Sequence, residues 1–583
     1  MTLPKDRTAA QDRTRRMVLL SIWIAILLGF PLWWKTTRVY RAELPFDEVE
    51  QWSQWSSCRP AFPLKINVHL SDAVSLPGSV NPQQQHEAIV SEIINKVQSS
   101  SPSSGSQNLP LEVVLVDQAW RGTKEQDILD RPSAVPGTYD FYISPTSSTS
   151  KKTSVSIKSQ RQGWIQVADW TQDQISSAVA ETLERVFGSE RTKIQKLLDR
   201  QDEEEAAKVK TAVKYASGYQ LTFSLFSGDT SNGVREWKMQ EAINTYMAPF
   251  LRTMSVVSKF TVESQVQHYA SLTFQPDLDA TAKEYYLTPD KLPNFINTAE
   301  WSLASTVSSL PSLNFLVYVP PADQSPLVIK SGPGAPPSKT NSFLIPRWGG
   351  ITVLNRPAND PILTVSELEP VMKIFLSQLR DLLGLSDLST SVPAGSFPIT
   401  FQKNEATSMT TWELDQLLRK RISENLVDSI KTLGSLARLV ADTPNMVVLD
   451  PIQEDVTQAL LDVKAACEKV QGSSSSSLST GSAVEEALQH SRDALEKAES
   501  AFFDPTMVSM LYFPDEHKYA IYMPLFVPIS VPLLLSLLKE LKKWAAAKKE
   551  AKAKASAKKT AGQDADAEHV HDRKEEAEDR KTK

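Results

Sequence analysis

Five histidines (His69, His86, His268, His490, His517) and two cysteines (Cys58, Cys467) lie between residues 35 and 519. They are the side chains there best suited to nucleophilic, acid–base or metal chemistry. Their spacing supports none of it. There is no His-Glu-x-x-His and no histidine pair at metal-ligand separation. Neither cysteine sits in a glycine-rich nucleophile context, and no Gly-x-Ser-x-Gly elbow or phosphate-cradling glycine loop occurs. Triads assembled from distant residues are defined by geometry, so the spacing excludes the local signatures only. The expectation is no catalytic residue, no metal and no cofactor.

Two other patterns are candidate contact sites. In Pro346-Arg347-Trp348-Gly349-Gly350-Ile351-Thr352-Val353 the paired glycines permit a tight or positive-φ turn before a strand. An Arg-Trp stack capping that turn is the structural reading, and a binding loop at Trp348, Gly349 and Gly350 is the functional one. Pro524, Pro528 and Pro532 recur every four residues on one helix face, where each removes a backbone donor. Membrane helices tolerate this when neighbours satisfy the freed carbonyls, so a partner helix or a bound lipid fits that face.

These prolines lie in the second of two uncharged apolar segments, residues 17–34 and 520–538, separated by 485 residues. At about 1.5 Å per residue each nearly spans the hydrocarbon core of a bilayer. The first ends in Phe30-Pro31-Leu32-Trp33-Trp34 rather than in small residues, and so reads as an uncleaved anchor. Five cations precede it, and nine lie between Lys539 and Lys559. The positive-inside rule then puts both termini in the cytosol and the region between the spans in a secretory lumen. Residues 1–16 sum to +3 and residues 539–583 to +4, so the total of −6 leaves −13 for the rest. An acidic luminal region argues against a nucleic-acid partner.

The two cysteines exclude a disulfide-stapled scaffold, and three states stay open for them: a long-range bridge, an intermolecular bridge, or two buried thiols. No Asn-x-Ser/Thr acceptor occurs between the spans. The tail beyond Ala561 has nothing apolar to bury and reads as disordered, and Arg580-Lys581-Thr582-Lys583 resembles a relaxed dilysine retrieval signal.

Periodicity makes the interior mixed α/β. Strands are expected at Leu64–Leu70, Leu111–Asp117, Tyr139–Ser144 and Trp164–Ala168, with helices at Pro82–Gln98 and Asp173–Phe187. From Tyr219 the pattern repeats: Tyr219–Phe226, a helix over Glu236–Arg252, Phe260–Phe274, a helix near Ala299–Ser308, then Leu313–Val319. Two lobes and one interrupted sheet both fit. After Ile351–Leu354 the chain reads as helices Val365–Leu383, Trp412–Val440, Ile452–Val470 and Val484–Ala501. Leu414, Leu418, Ile422, Leu426 and Ile430 form one apolar stripe on the second of these. The expected organisation is a cytosolic tail (1–16), a transmembrane helix (17–34), a luminal α/β region with a mixed sheet and flanking helices (35–360), a helical stalk (361–519), a second transmembrane helix (520–538) and a charged cytosolic tail (539–583).

Several ordered motifs carry a family resemblance. They are Pro31-Leu32-Trp33-Trp34-Lys35-Thr36-Thr37-x-x-Tyr40-Arg41, Leu313-Asn314-Phe315-Leu316-Val317-Tyr318-Val319-Pro320, the Arg347-Trp348-Gly349-Gly350 turn, Thr411-Trp412-Glu413-Leu414-Asp415, and Ala501-Phe502-Phe503-Asp504-Pro505 with Tyr512-Phe513-Pro514-Asp515. Together they resemble the PIG-S subunit family of the glycosylphosphatidylinositol (GPI) transamidase, over nearly the whole chain. The resemblance implies a non-catalytic subunit in the endoplasmic reticulum membrane. Its implied partners are a PIG-K-like cysteine protease, PIG-T-like, PIG-U-like and Gaa-type subunits, and membrane lipid, the GPI among it. The complex transfers a proprotein's new carbonyl end to a GPI ethanolamine. A lipid- or proprotein-binding subunit is the alternative role, and an independent luminal hydrolase a further one that would require a pocket of titratable groups.

Overall fold

In the computed structural model the described residues are 9–37, 40–71, 82–100, 108–116, 137–146, 152–199, 213–228, 234–270, 272, 274–295, 310–356, 361–404, 407–443, 446–471, 482–509 and 515–578. The chain forms two compact units: residues 44–438 with 451–503, and residues 1–43 with 439–450 and 504–583.

Chain order begins with α1 (Ala9–Thr37) and α2 (Phe46–Ser53). A first α/β half follows: β1 (Leu64–Leu70), α3 (Pro82–Ser100), β2 (Leu111–Leu115), β3 (Thr138–Pro145), β4 (Ser154–Ile157), β5 (Gln162–Val167) and α4 (Gln172–Asp199). The second half holds β6 (Gly218–Ser227), β7 (Glu236–Trp237), α5 (Met239–Ala242), α6 (Ala248–Met254), β8 (Lys259–His268), β9 (Asp277–Asp279), β10 (Glu284–Leu287), β11 (Ser312–Val319), β12 (Leu327–Ile329), β13 (Ser342–Ile345), β14 (Gly349–Val353), β15 (Ile362–Leu363) and α7 (Val365–Leu383). The rest is α8 (Leu388–Ser391), β16 (Ile399–Phe401), α9 (Thr411–Asp442), α10 (Asp450–Gln471), α11 (Ser482–Phe502), α12 (Pro505–Ser509) and α13 (Asp515–Glu578).

The two halves share one topology. The first sheet runs β16-β4-β5-β3-β1-β2 and the second β13-β14-β11-β6-β8. Counted within each half, both read 2-1-3-5-4, with four parallel strands and an antiparallel fourth at one edge. A helix joins the first and second strands of each half, α3 in one and the α5–α6 pair in the other, and a helix follows the last strand, α4 or α7. The first sheet gains β16, which pairs parallel to β4. The second carries an insertion, the three-stranded β12-β10-β9. The repeat seen in the sequence from Tyr219 is thus a duplicated α/β unit, and the two-sheet reading replaces the single interrupted sheet.

Local chemistry sets the elements that were legible in the sequence. Thr364 and Glu367 form a capping box at the start of α7, and Gly384 ends it at φ +79°. Every residue of β6 is buried, as a central parallel strand requires. The helix expected over Glu236–Arg252 is instead β7, α5, a π turn at Ile243–Met247 and α6. Pro249, which has no N–H for the carbonyl of Thr245, accounts for the widened turn. The long strand expected to Phe274 stops at His268, where Tyr269 adopts φ +59°. The helix near 299–308, the Ser473–Ser477 tract and the last four residues lie outside the described residues.

The expected helical stalk is corrected by the structure. α7 packs on β14, and α9 to Arg438, α10 from Pro451 and α11 belong to the same compact unit as both sheets. Along its middle α9 is buried nearly all round, so the single stripe is only part of its packing surface. The tail read as disordered is helical through Glu578, in keeping with its Ala, Lys and Glu content. Helices containing 13–35 and 520–554 are long and apolar enough to cross a membrane, and their apolar windows are unburied.

Candidate functional site

Both cysteines and two of the histidines are engaged in structural contacts. Cys58 and Cys467 form a disulfide, and no free cysteine remains. His69 stacks on Tyr142 at 4.7 Å and lies 3.1 Å from Asp140, which also accepts from the Asn67 amide at 2.9 Å. His490 pairs with Asp462 at 2.8 Å. Among the described residues no group of three or more His, Cys, Asp or Glu is arranged to hold a metal.

The candidate loop is a β-turn joining β13 to β14. Trp348 N donates to Ile345 O at 3.1 Å, with Pro346 and Arg347 as the central residues. Arg347 at φ +67° fits a type II turn, and Pro346 presets the position before it. Gly349, at φ +145°, lies so close to β11 that a Cβ would stand 1.8 Å from Asn314 O. On Gly350 a Cβ would stand 1.9 Å from Gln378 Oε1 on α7. Gly349 is therefore fixed by close approach to the β11 backbone, and Gly350 by contact with the Gln378 side chain. Trp348 packs, half-buried, on a cluster that includes Leu316, Ile351 and Phe295. The structure brings Trp348, Gly349 and Gly350 together at the edge of the second half's core.

The three prolines lie in the other compact unit, on α13. There Trp33 of α1 meets Tyr522 and Phe526 edge-on, with centroids 6.1 and 6.5 Å apart. At about 100° per residue, Phe526 falls about 40° from Tyr522, while Pro524, Pro528 and Pro532 fall about 200–280° from it. The proline face thus points away from the face that meets Trp33. Since proline has no N–H, the carbonyls of Ala520, Pro524 and Pro528 lose their helical donors. The result is a line of acceptors along an apolar span.

In the same unit Tyr40 and Arg41 anchor the chain leaving α1. Tyr40 Oη donates to Asp450 Oδ1 at 2.5 Å, Ala42 N donates to Val448 O at 2.9 Å, and the Arg41 guanidinium donates to Val440 O.

The sequence signalled Thr411-Trp412-Glu413-Leu414-Asp415 only as a motif, and the structure shows a clamp between the halves. Thr411 N donates to Ser159 O and the Trp412 indole to Gln160 O. Trp412 packs among Tyr139, Phe141 and Phe187 of the first half. Glu413 accepts from Arg380 of α7 at 2.8 Å. Asp415 accepts both arms of Arg161 at 2.6 Å and the Tyr139 hydroxyl at 2.8 Å. One turn later Arg419 holds Glu190 in a bidentate pair at 2.6 and 3.0 Å and donates to Tyr139 Oη. Burial pushes the Tyr139 phenol far above its ordinary range, so it stays neutral and donates.

The chain matches the family described as phosphatidylinositol-glycan biosynthesis class S protein over residues 20–547. It is similar to the GPI-anchor transamidase component PIGS of Bos taurus, 32% identical over 546 residues, covering 88% of this chain and 92% of the relative. The Homo sapiens protein of that name is 32% identical over 540 residues, with the same shares. A GPI transamidase component PIG-S homolog of Schizosaccharomyces pombe is 28% identical over 532 residues, covering 88% of this chain and 81% of the relative.

Proposed function

The chain belongs to the phosphatidylinositol-glycan biosynthesis class S family, and from that premise we propose that it is a non-catalytic, organising subunit of a GPI transamidase. It works in the endoplasmic reticulum membrane, spans it twice with both termini cytosolic, and holds its α/β unit in the lumen. The cysteine nucleophile belongs to another, PIG-K-like subunit, and PIG-T-like, PIG-U-like and Gaa-type subunits complete the assembly.

The observation that carries this reading is the Cys58–Cys467 bridge. It needs an oxidising compartment, as the lumen is, and it leaves this chain no thiol for acyl transfer. The two spans support membrane assembly.

A second role rests on the α13 geometry. Unsatisfied carbonyls in hydrocarbon cost several kcal/mol each, by order of magnitude, so the proline face calls for donors from a neighbouring helix or lipid headgroup. Trp348 with its glycines is the companion contact proposed on the luminal side.

Purification of the tagged full chain from mild-detergent membranes tests the assembly, and glycan mapping tests the topology. Ser338→Asn creates Asn-Lys-Thr on an exposed loop, and Lys558→Asn creates the same triplet in the tail. The reading requires co-purification with a separate cysteine protease and an endoglycosidase-sensitive shift for the first variant alone. A lone chain with its own hydrolytic activity, or a glycan on residue 558, overturns it.

A further inference from the structure

Among the described residues β8 is the outer strand of the second sheet, pairing with β6 alone. Its ten residues stay in register with β6 from Gly218↔Lys259 to Ser227↔His268, with no bulge and no proline. The equivalent strand of the first half, β2, has five residues. Lys259 N donates to Ser217 O, which fixes the parity of the ladder. Lys259, Thr261, Glu263, Gln265 and Gln267 turn their backbone groups toward β6. Phe260, Val262, Ser264, Val266 and His268 turn theirs outward.

Such an edge is normally blunted by a charge, a proline or a bulge, and the charges of β8, Lys259 and Glu263, are not in its outward row. Here Val262 and Val266 are 39% and 37% exposed. The outward row shares its face with Tyr219, on which Phe260 stacks at 6.1 Å. A groove of about 970 Å³ runs between β8 and the α5–α6 segment, lined by Trp237, Ile243, Leu251, Phe260 and Val262 and, along the strand edge, by Thr261 and Glu263 of the other face. The opposite face is polar: Gln220 Nε2 donates to Glu263 Oε2 at 2.7 Å and Gln265 Nε2 to Ser224 Oγ at 2.8 Å. Exposed Arg252 and Lys259 also line the groove, and among the described residues neither is paired with a carboxylate. The chain already uses strand addition once, where β16 extends the first sheet.

We propose that β8 is a strand-addition site, taking an extended segment of another polypeptide of the assembly. The segment is apolar at the alternate positions that enter the groove, and carries a carboxylate where it passes Arg252 and Lys259. Backbone hydrogen bonds to the five outward residues supply the ladder, and the groove selects the side chains. This deepens the organising role and rests on it.

Hydrogen exchange on the full chain, alone and in its purified assembly, tests the proposal. Amides of Phe260, Val262, Ser264, Val266 and His268 exchange quickly in the lone chain and slow by roughly tenfold or more in the assembly. Those of Thr261, Glu263, Gln265 and Gln267 are protected in both. Val262→Pro with Val266→Pro removes two outward N–H groups while sparing the β6 ladder, so the chain folds and the protection at Ser264 and His268 is lost. A photo-crosslinker at Val266 captures a peptide of another subunit. Unchanged exchange of the outward amides in an intact assembly overturns this inference and leaves the organising role standing. Capture of a second copy of the chain overturns the occupant, and recovery of only a lone chain overturns the role and the inference together.

Discussion

Replacing Asp415 by alanine removes the anion that two groups of the first half share. The Arg161 and Asp415 side chains are 8% and 2% exposed, and two bonds of 2.6 Å join them. Removing one member of such a buried pair strands the other, which costs about 3–5 kcal/mol, far more than an exposed ion pair is worth. Tyr139 loses its acceptor as well but keeps the bond from Arg419. For a unit of about 450 residues, at roughly 2.1 cal/mol/K of unfolding entropy per residue, a loss of about 4 kcal/mol lowers the Tm by roughly 4 °C. Tryptophan fluorescence during thermal unfolding of the full chain in detergent reads this directly, since Trp412 sits beside the pair. Arg161→Met costs a similar amount alone. The double variant Arg161→Met with Asp415→Leu recovers to within about 1–2 kcal/mol of the parent, because neither charge is stranded. A loss below about 1 kcal/mol for Asp415→Ala, or additive single effects, would refute the clamp.

Gly349→Ala destabilises by about 3 kcal/mol or more, because its Cβ meets backbone at φ +145°, a region almost closed to other residues. Gly350→Ala costs nearer 1–2 kcal/mol, since the Gln378 amide can move away while losing its bond to Phe343 O; denaturant midpoints rank the two. Opening the Cys58–Cys467 bridge, which closes a separation of 409 residues, lowers stability by about 3–5 kcal/mol, checked by unfolding with and without reductant and by mapping the linked peptides. The hydrogen bond from Lys330, then those from the N–H groups of Gly334, Ala282 and Thr281, hold the Asp279 carboxyl well below the usual carboxylate range. Its folded pKa being the lower one, the native state binds fewer protons. Stability from this group is full above the ordinary carboxylate value of about 4 and falls away as pH drops further. Asp279→Asn flattens that acid limb in a pH series of Tm values.

The elements legible in the sequence were those with strong local signals. α7 carries its own capping box and terminal glycine, and β1, β6 and β11 are short apolar runs bounded by turns. The turn before β14 was legible as a turn, though why each glycine is required depended on Asn314 and Gln378, distant in the chain. β16 was not legible: its three residues become a strand only by pairing with β4, some 240 residues earlier. The apolar stripe of α9 was legible, but its burial all round was not, because the partners of Glu413, Asp415 and Arg419 lie on other elements. The bridge between Cys58 and Cys467 had the same character, since two cysteines at that separation carry no spacing signal.

Whether this chain supplies the nucleophile is tested by transamidation with the purified assembly carrying Cys58→Ala and Cys467→Ala in this chain, normalised to the amount of intact complex. Lower stability and yield but wild-type turnover per assembled complex are expected, since the proposed role leaves the nucleophile to another subunit. Loss of turnover from complexes that remain fully assembled would contradict it.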